Sequence, residues 1–204
     1  MARITDKQET RNRLLDRGVQ LLTEQGYHGT GLQDLLEGMG VPKGSFYNYF
    51  ENKEAFGAEA IGHYIEPFIQ RLRYYLDQPD LGGREALEAY FGELIAELQY
   101  RQFQGGCLLG NLLGEIGDTS PICREALSRA FHRYRDQLAE GIGRGQREGT
   151  YRRDKTAVEL ADRLADAWQG ALLRMKVEQS VQPLEACCKS LLGEYFRIDS
   201  AMAE

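Results

Sequence analysis

Residues 26–56, GYHGTGLQDLLEGMGVPKGSFYNYFENKEAF, decide how this chain folds. Thr30-Gly31-Leu32-Gln33 has the form of a capping box, with a hydroxyl and a side-chain amide closing a helix start reciprocally. Leu32, Leu35, Leu36 and Met39 give the new helix one apolar face, which ends at Gly40-Val41-Pro42. Gly40 supplies a left-handed turn residue, and Pro42 presets the next helix, expected over about Lys43 to Tyr49. That helix begins small and cationic with Lys43, Gly44 and Ser45, then crowds Phe46, Tyr47, Tyr49 and Phe50 together. Two short helices around a glycine-containing turn are the parts of a helix-turn-helix. Such a unit lays its second helix in the DNA major groove, N-terminal residues towards the base edges. Lys43 could reach phosphate or guanine there, and Tyr47 and Asn48 could bond phosphate or base edges. The competing reading is an aromatic-rich pair of helices with no nucleic-acid role.

Outward from this stretch, helical period continues almost everywhere. Leu14, Leu15, Val19, Leu21 and Leu22 share a face, and Phe56, Ala60, Tyr64, Phe68 and Leu72 recur every four residues. Residues 84–103, 121–148, 155–180 and 183–197 read likewise. Asn52 and Ser120-Pro121 are helix starts, Thr156 to Glu159 forms a second capping box, and Pro183 opens the last helix. No alternating run flanked by hairpin turns stands out. The expected fold is all-α, with about nine helices. Gly110, Gly114, Gly141, Gly145 and Gly170 fall inside helical patterns. They read either as tolerated weak points or as places where helices approach closely.

Composition bounds the remaining classes. The 204 residues are 42% apolar and 27% charged, enough for a core of ordinary size. No run of 18 apolar residues appears, and the charged start MARITDKQETRNRLL lacks the apolar core of an export signal. The expectation is a cytoplasmic protein with no membrane span. Four cysteines, Cys107, Cys123, Cys187 and Cys188, have no disulfide-scaffold spacing, and His28, His63 and His132 stand apart. Neither a metal nor a cofactor is expected.

The stretch 26–56, and more loosely residues 7–56, resembles the DNA-binding head of the TetR family of bacterial repressors. The resemblance implies a three-helix head over residues 1–53 and a helical effector-sensing and dimerisation body over 54–204. It further implies a homodimer through the last two helices on a palindromic operator, with a small-molecule or electrophile effector. By family position the DNA-facing set is Thr30, Gln33, Lys43, Gly44, Ser45, Tyr47, Asn48 and Lys53. Gly31 stands where many members carry Ser or Thr, and Pro42 where Ser or Thr is common, so two hydroxyl contacts are missing.

The most unusual stretch of the body is Phe103-Gln104-Gly105-Gly106-Cys107, where a long helix is expected to stop and a short apolar one to begin. A thiol in a first helical turn lies at the positive end of the dipole, which favours thiolate. Cys107 reads either as a reactive thiol there or as a small residue packed against Leu108 and Leu112. Cys123, just after Ser120-Pro121, is placed similarly and ranks second. The adjacent pair Cys187-Cys188 reads as packing or dimer contact. GGCLLGNLLGE (105–115) and WQGALLRMKVEQS (168–180) resemble the TetR subgroup that senses electrophiles and oxidants, including N-ethylmaleimide-type alkylators and acrylate-related compounds. That resemblance makes Cys107 the sensing thiol and places Lys176 as its modulator, with Asn111 and Trp168 beside them. Lys176 also has a plain reading as a solvated charge near a helix end. The alternatives are a repressor induced by a reversible ligand and, in another class, an all-α cysteine-dependent enzyme.

Charge is uneven along the chain. Of 25 basic and 31 acidic residues, residues 1–53 hold seven of each, leaving 18 and 24 to the body, which carries the whole −6. An acidic total therefore does not argue against DNA binding by the head. A neutral head leaves little electrostatic affinity for DNA of arbitrary sequence.

Overall fold

The computed structural model describes residues 2–37, 39 and 42–198, with the side chains of residues 2–6 and 43 outside that description. The expected turn residues Gly40 and Val41 also lie outside the described residues. The described chain is helical throughout: α1 (Ala2–Gly29), α2 (Leu32–Leu36), a 3-10 helix (Lys43–Asn48), α3 (Lys53–Leu76) and α4 (Gly83–Tyr100). Then come α5 (Leu108–Ile116), α6 (Pro121–Glu148), α7 (Ala157–Glu178) and α8 (Gln182–Cys188), which widens into a π-helical turn at Lys189–Tyr195. The chain clusters into two compact units, residues 1–66 with 107–130, and residues 67–106 with 131–204.

In the first unit α1 packs on α5 and α2, and α2 packs on the 3-10 helix. Leu14, Leu15, Leu21 and Leu22 of α1 are buried, as their helical spacing requires. Phe46, Phe50 and Phe56 form a closed aromatic cluster with centroids 5.0–5.7 Å apart, all of them buried. Each ring contributes roughly 1.5–3 kcal/mol through burial. Gly18 of α1 makes room for the cluster, since a Cβ there would run into the Phe56 ring. The segment expected as an α-helix over Lys43 to Tyr49 is a tighter 3-10 helix instead. Ser45 N donates to Pro42 O at 2.8 Å and Tyr49 N to Phe46 O at 2.9 Å, an i to i−3 pattern.

Local caps form where the sequence places them. Asn52 Oδ1 accepts from Ala55 N at 2.8 Å and Ser120 Oγ from Cys123 N at 3.3 Å. Thr156 and Glu159 close a complete capping box at the start of α7. The start of α2 differs. Thr30 does not cap it: its hydroxyl donates backwards to Gly26 O at 2.7 Å, while Asp34 rather than Gln33 accepts from Gly31 N at 3.1 Å. α1 breaks at Gly26, with φ of 74° and ψ of 178°, and the Gly26 carbonyl there accepts the Thr30 hydroxyl.

In the second unit Tyr90, Phe91, Leu164, Trp168, Leu172, Met175, Leu184 and Leu192 are buried. Phe91 and Trp168 meet edge to face at 4.7 Å. Two of the helical glycines mark a close approach. A Cβ on Gly83 would meet Gly145 N at 2.5 Å, and one on Gly145 would meet the Tyr151 ring at 2.6 Å. Gly141 lies against the side chains of Leu76 and Leu87, whereas Gly114 and Gly170 have open space around them. The α4 end also moves. The helix stops at Tyr100, and Phe103 N closes on Leu98 O at 2.9 Å with Gln102 left-handed at φ 53°, a Schellman-type ending without the usual glycine. The segment expected as one helix over 183–197 is α8 followed by its π turn, after which Arg152 N donates to Phe196 O at 2.7 Å.

Candidate functional site

The site-bearing residues fall in three groups, one on the helix-turn-helix, one at the start of α5 in the first unit, and one on α7 in the second. On the first, Gln33 on α2 and Gly44 and Asn48 on the 3-10 helix are exposed, and Ser45 is half-buried. Tyr47 is 55% exposed and stands edge-on to buried Phe46, so a core ring fixes the base of an outward-facing one. These five residues lie on two elements that pack together. The Lys43 side chain lies outside the described residues.

Two expected members of the set face inward. Thr30 is 2% exposed, with its hydroxyl bonded to Gly26 O. Lys53 donates from Nζ to Tyr27 O at 2.7 Å and lies 4.4 Å from the centre of the Tyr27 ring. Burial lowers the Lys53 pKa from its ordinary value, against the opposing pull of Glu115. Two cations of α1 are engaged as well: Arg11 pairs with Glu59 and lies over Phe50, and Lys7 lies over Tyr49. The outward set is therefore polar and mostly uncharged, suited to hydrogen-bonding base edges and phosphates rather than to bulk attraction.

Tyr27 ties these residues together, and its importance is not visible in sequence. Its ring lies against Gly57 and near the Cys123 thiol. Burial, with Cys123 and Glu54 adding to it, pushes its hydroxyl up to about 12. Its backbone amide donates to Glu115 Oε2 at 2.8 Å and His28 N to the same oxygen at 3.2 Å. Glu115 lies 88 positions away, on α5. No local signal could have revealed it.

At the second group, Cys107 is the N-cap of α5, one position before the expected first turn, and is half-buried. Asn111 N closes the first helical bond onto Cys107 O at 3.1 Å. The backbone leading to it is unusual: Gln102, Phe103, Gly105 and Gly106 all have positive φ, from 53° to 89°. Left-handed backbone costs about 1–2 kcal/mol at each non-glycine residue. Lys176, half-buried on α7, lies against Gly106, where a Cβ would meet Lys176 Nζ at 3.3 Å. Trp168 is buried against Phe91 in the core of its unit.

Cys123 is fully buried, its Sγ directed at Glu54 O (3.6 Å), and burial raises its pKa against a smaller opposing contribution from Ser120. Burial also raises Cys187, and it pushes Cys188 up to about 12, with Cys187 and Glu88 adding to the effect. Desolvation therefore withholds the thiolate from all three. Among the described residues no three His, Cys, Asp or Glu side chains gather as a metal site, and no helix is long and apolar enough to cross a membrane.

Comparison with known proteins matches residues 14–60 to the family described as bacterial regulatory proteins, tetR family. Residues 83–191 match the Tetracyclin repressor-like, C-terminal domain. The chain belongs to the TetR family. This TetR-family chain is 37% identical over 175 residues to the HTH-type transcriptional repressor DhaR of Mycobacterium sp. (strain GP1), covering 86% of each. It is 32% identical to the HTH-type transcriptional repressor NemR of Escherichia coli (strain K12), covering 87% of this chain and 89% of NemR. A crystal structure of the reduced form of E. coli NemR superposes with a TM-score of 0.81 at 30% identity, covering 95% of this chain and all of that one. As a TetR-family protein with relatives named as transcriptional repressors, the chain is a regulator and not an enzyme.

Proposed function

We propose that this TetR-family regulator is a homodimeric repressor that releases its operator when an electrophile or oxidant modifies Cys107. Residues 1–53 act as the DNA-binding head and 54–204 as the sensing and dimerising body. Gln33, Gly44, Ser45, Tyr47 and Asn48 form the contact face, to which family position adds Lys43. Thr30 and Lys53, turned inward, support that face in this conformation. Leu173 and Val177 of α7, 61% and 85% exposed, supply apolar surface for a dimer through α7 and α8. A two-fold dimer would require a palindromic operator with half-sites about one DNA turn apart.

The observation that carries the sensing reading is the placement of Cys107. It caps α5, follows a run of left-handed backbone, and comes directly after the glycine on which Lys176 packs. A thiolate there adds to the carbon–carbon double bond of N-ethylmaleimide. The S–C bond forms as the π bond breaks, and the resulting carbanion takes a proton from water. Support also comes from the likeness to NemR, whose solved structure is described as a reduced form.

The test is a mobility shift on the protein's own upstream DNA, before and after N-ethylmaleimide, with intact-mass analysis. The expected result is one adduct at Cys107 and loss of the shift, with Cys107→Ser keeping its shift after treatment. If Cys107→Ser releases DNA after treatment as readily as the unaltered protein, the thiol reading fails. A second reading, induction by a reversible ligand, draws on the paired Tyr90 and Tyr134 hydroxyls, 3.0 Å apart within the apolar core near Trp168. Release by a small carbonyl compound with no change in protein mass would favour it.

A further inference from the structure

We infer that Glu115 is a positioning residue that latches the helix-turn-helix to the thiol-capped helix, so that displacement of α5 is passed to the operator-binding face. The inference deepens the proposed operator release and rests on it. The break at Gly26 starts a new helical turn at Tyr27, whose first amides have no acceptors within the helix. A single carboxylate oxygen of Glu115 takes both Tyr27 N at 2.8 Å and His28 N at 3.2 Å. A carboxylate on helix-start amides is favoured by both charge and hydrogen bonding.

Gly26 is needed twice here. Its φ of 74° suits glycine, and any Cβ would collide with the Glu115 carboxylate. The same turn is held from its other side, where Lys53 donates to Tyr27 O and Thr30 donates to Gly26 O. Residue 27 thus receives α5 through its amide and α3 through its carbonyl, immediately before α2 begins at Leu32. Cys107 and Glu115 stand at opposite ends of α5, about 12 Å apart along a helix too short to bend. A change at the Cys107 cap therefore moves α5 as a rod, and the Glu115 end carries the head's first turn with it.

The experiment compares Glu115→Gln and Glu115→Ala with the unaltered full-length protein. It measures operator affinity by fluorescence anisotropy, exchange of the Tyr27 and His28 amides, melting temperature, and the loss of affinity after N-ethylmaleimide. Glu115→Ala should weaken operator binding by about tenfold, the loss of two charge-assisted bonds shared with a head that remains folded. Both amides should exchange faster. Glu115→Gln keeps an acceptor oxygen and should recover most of the affinity. Alkylation should cost Glu115→Ala much less further affinity than it costs the unaltered protein, because the latch is already open.

Unchanged affinity in Glu115→Ala would overturn the inference. So would equal loss in both variants in proportion to their melting temperatures, which marks a merely structural residue. An alkylation effect of full size in Glu115→Ala would refute transmission through the latch. Should alkylation leave the unaltered protein on its operator, the electrophile reading fails separately. The latch is then decided by affinity and amide exchange, in the order unaltered, Glu115→Gln, Glu115→Ala.

Discussion

Replacing Gly106 with alanine tests the backbone that delivers Cys107 to the head of α5. Gly106 has φ +82°, where an L-residue is disfavoured by about 1–2 kcal/mol. The new Cβ would also come within 3.1 Å of Lys176 Cδ and 3.3 Å of its Cε and Nζ. Those atoms end a flexible side chain, so they can retreat cheaply and the conformational cost dominates. For a domain of this size, a loss of about 1–2 kcal/mol lowers the melting temperature by roughly 2–8 °C. Thermal melting followed by circular dichroism at one protein concentration reads it directly. Gly92→Ala is the matched control: it lies on the exposed face of α4 with nothing within 4 Å, so alanine there should stabilise by about 0.5–1 kcal/mol. The same chemical change thus has opposite expected signs at two positions. A melting temperature that rises, or does not move, in Gly106→Ala would refute the claim that left-handed backbone at Gly106 leads into the thiol.

Asn48→Ala, on the exposed side of the 3-10 helix, should change stability by less than about 0.5 kcal/mol while weakening operator binding by roughly 1–3 kcal/mol if Asn48 pairs with a base edge. Parallel melts and anisotropy titrations at fixed salt separate the two effects, and equal losses in both would place Asn48 in the fold instead. Stability should fall at alkaline pH. Tyr27 and Cys188 are both pushed up to about 12 from ordinary values of 10.0 and 9.0, so the folded chain favours their neutral forms. That contribution is complete below pH 9 and is lost as the unfolded chain sheds protons first between about 9 and 12. Urea midpoints across that range should decline, and Cys188→Ser should lessen the early part of the decline.

What was legible in the sequence followed from how far each signal reaches. Asn52, Ser120 and the Thr156–Glu159 box each act within three residues, and each forms its expected bond. The apolar stripes predicted nearly all the helices, because periodicity reports a buried face whatever it packs against. α4 ends three residues before its periodicity predicts, because Gln102 and Phe103 adopt a conformation that sequence patterns assign to glycine. The glycines at 105 and 106 lie beyond that end and carry the positive-φ backbone on to Cys107.

Thr30 shows where local reading fails for a physical reason. The motif Thr30-x-x-Gln33 satisfies every local requirement of a cap, yet α1 breaks at Gly26 and the Thr30 hydroxyl bonds the Gly26 carbonyl four residues back. A threonine hydroxyl that bonds backwards to the carbonyl four residues before it is no longer free to cap, and Asp34 serves the Gly31 amide instead. The amides freed by the same break are claimed by Glu115, and Lys53 is drawn onto the Tyr27 carbonyl. One glycine conformation thus redirects three side chains, two of which family position had assigned to DNA. The inward turn of Thr30 and Lys53 is therefore a consequence of how the head is held, and any movement of α5 that releases Glu115 would change the partners of all three together.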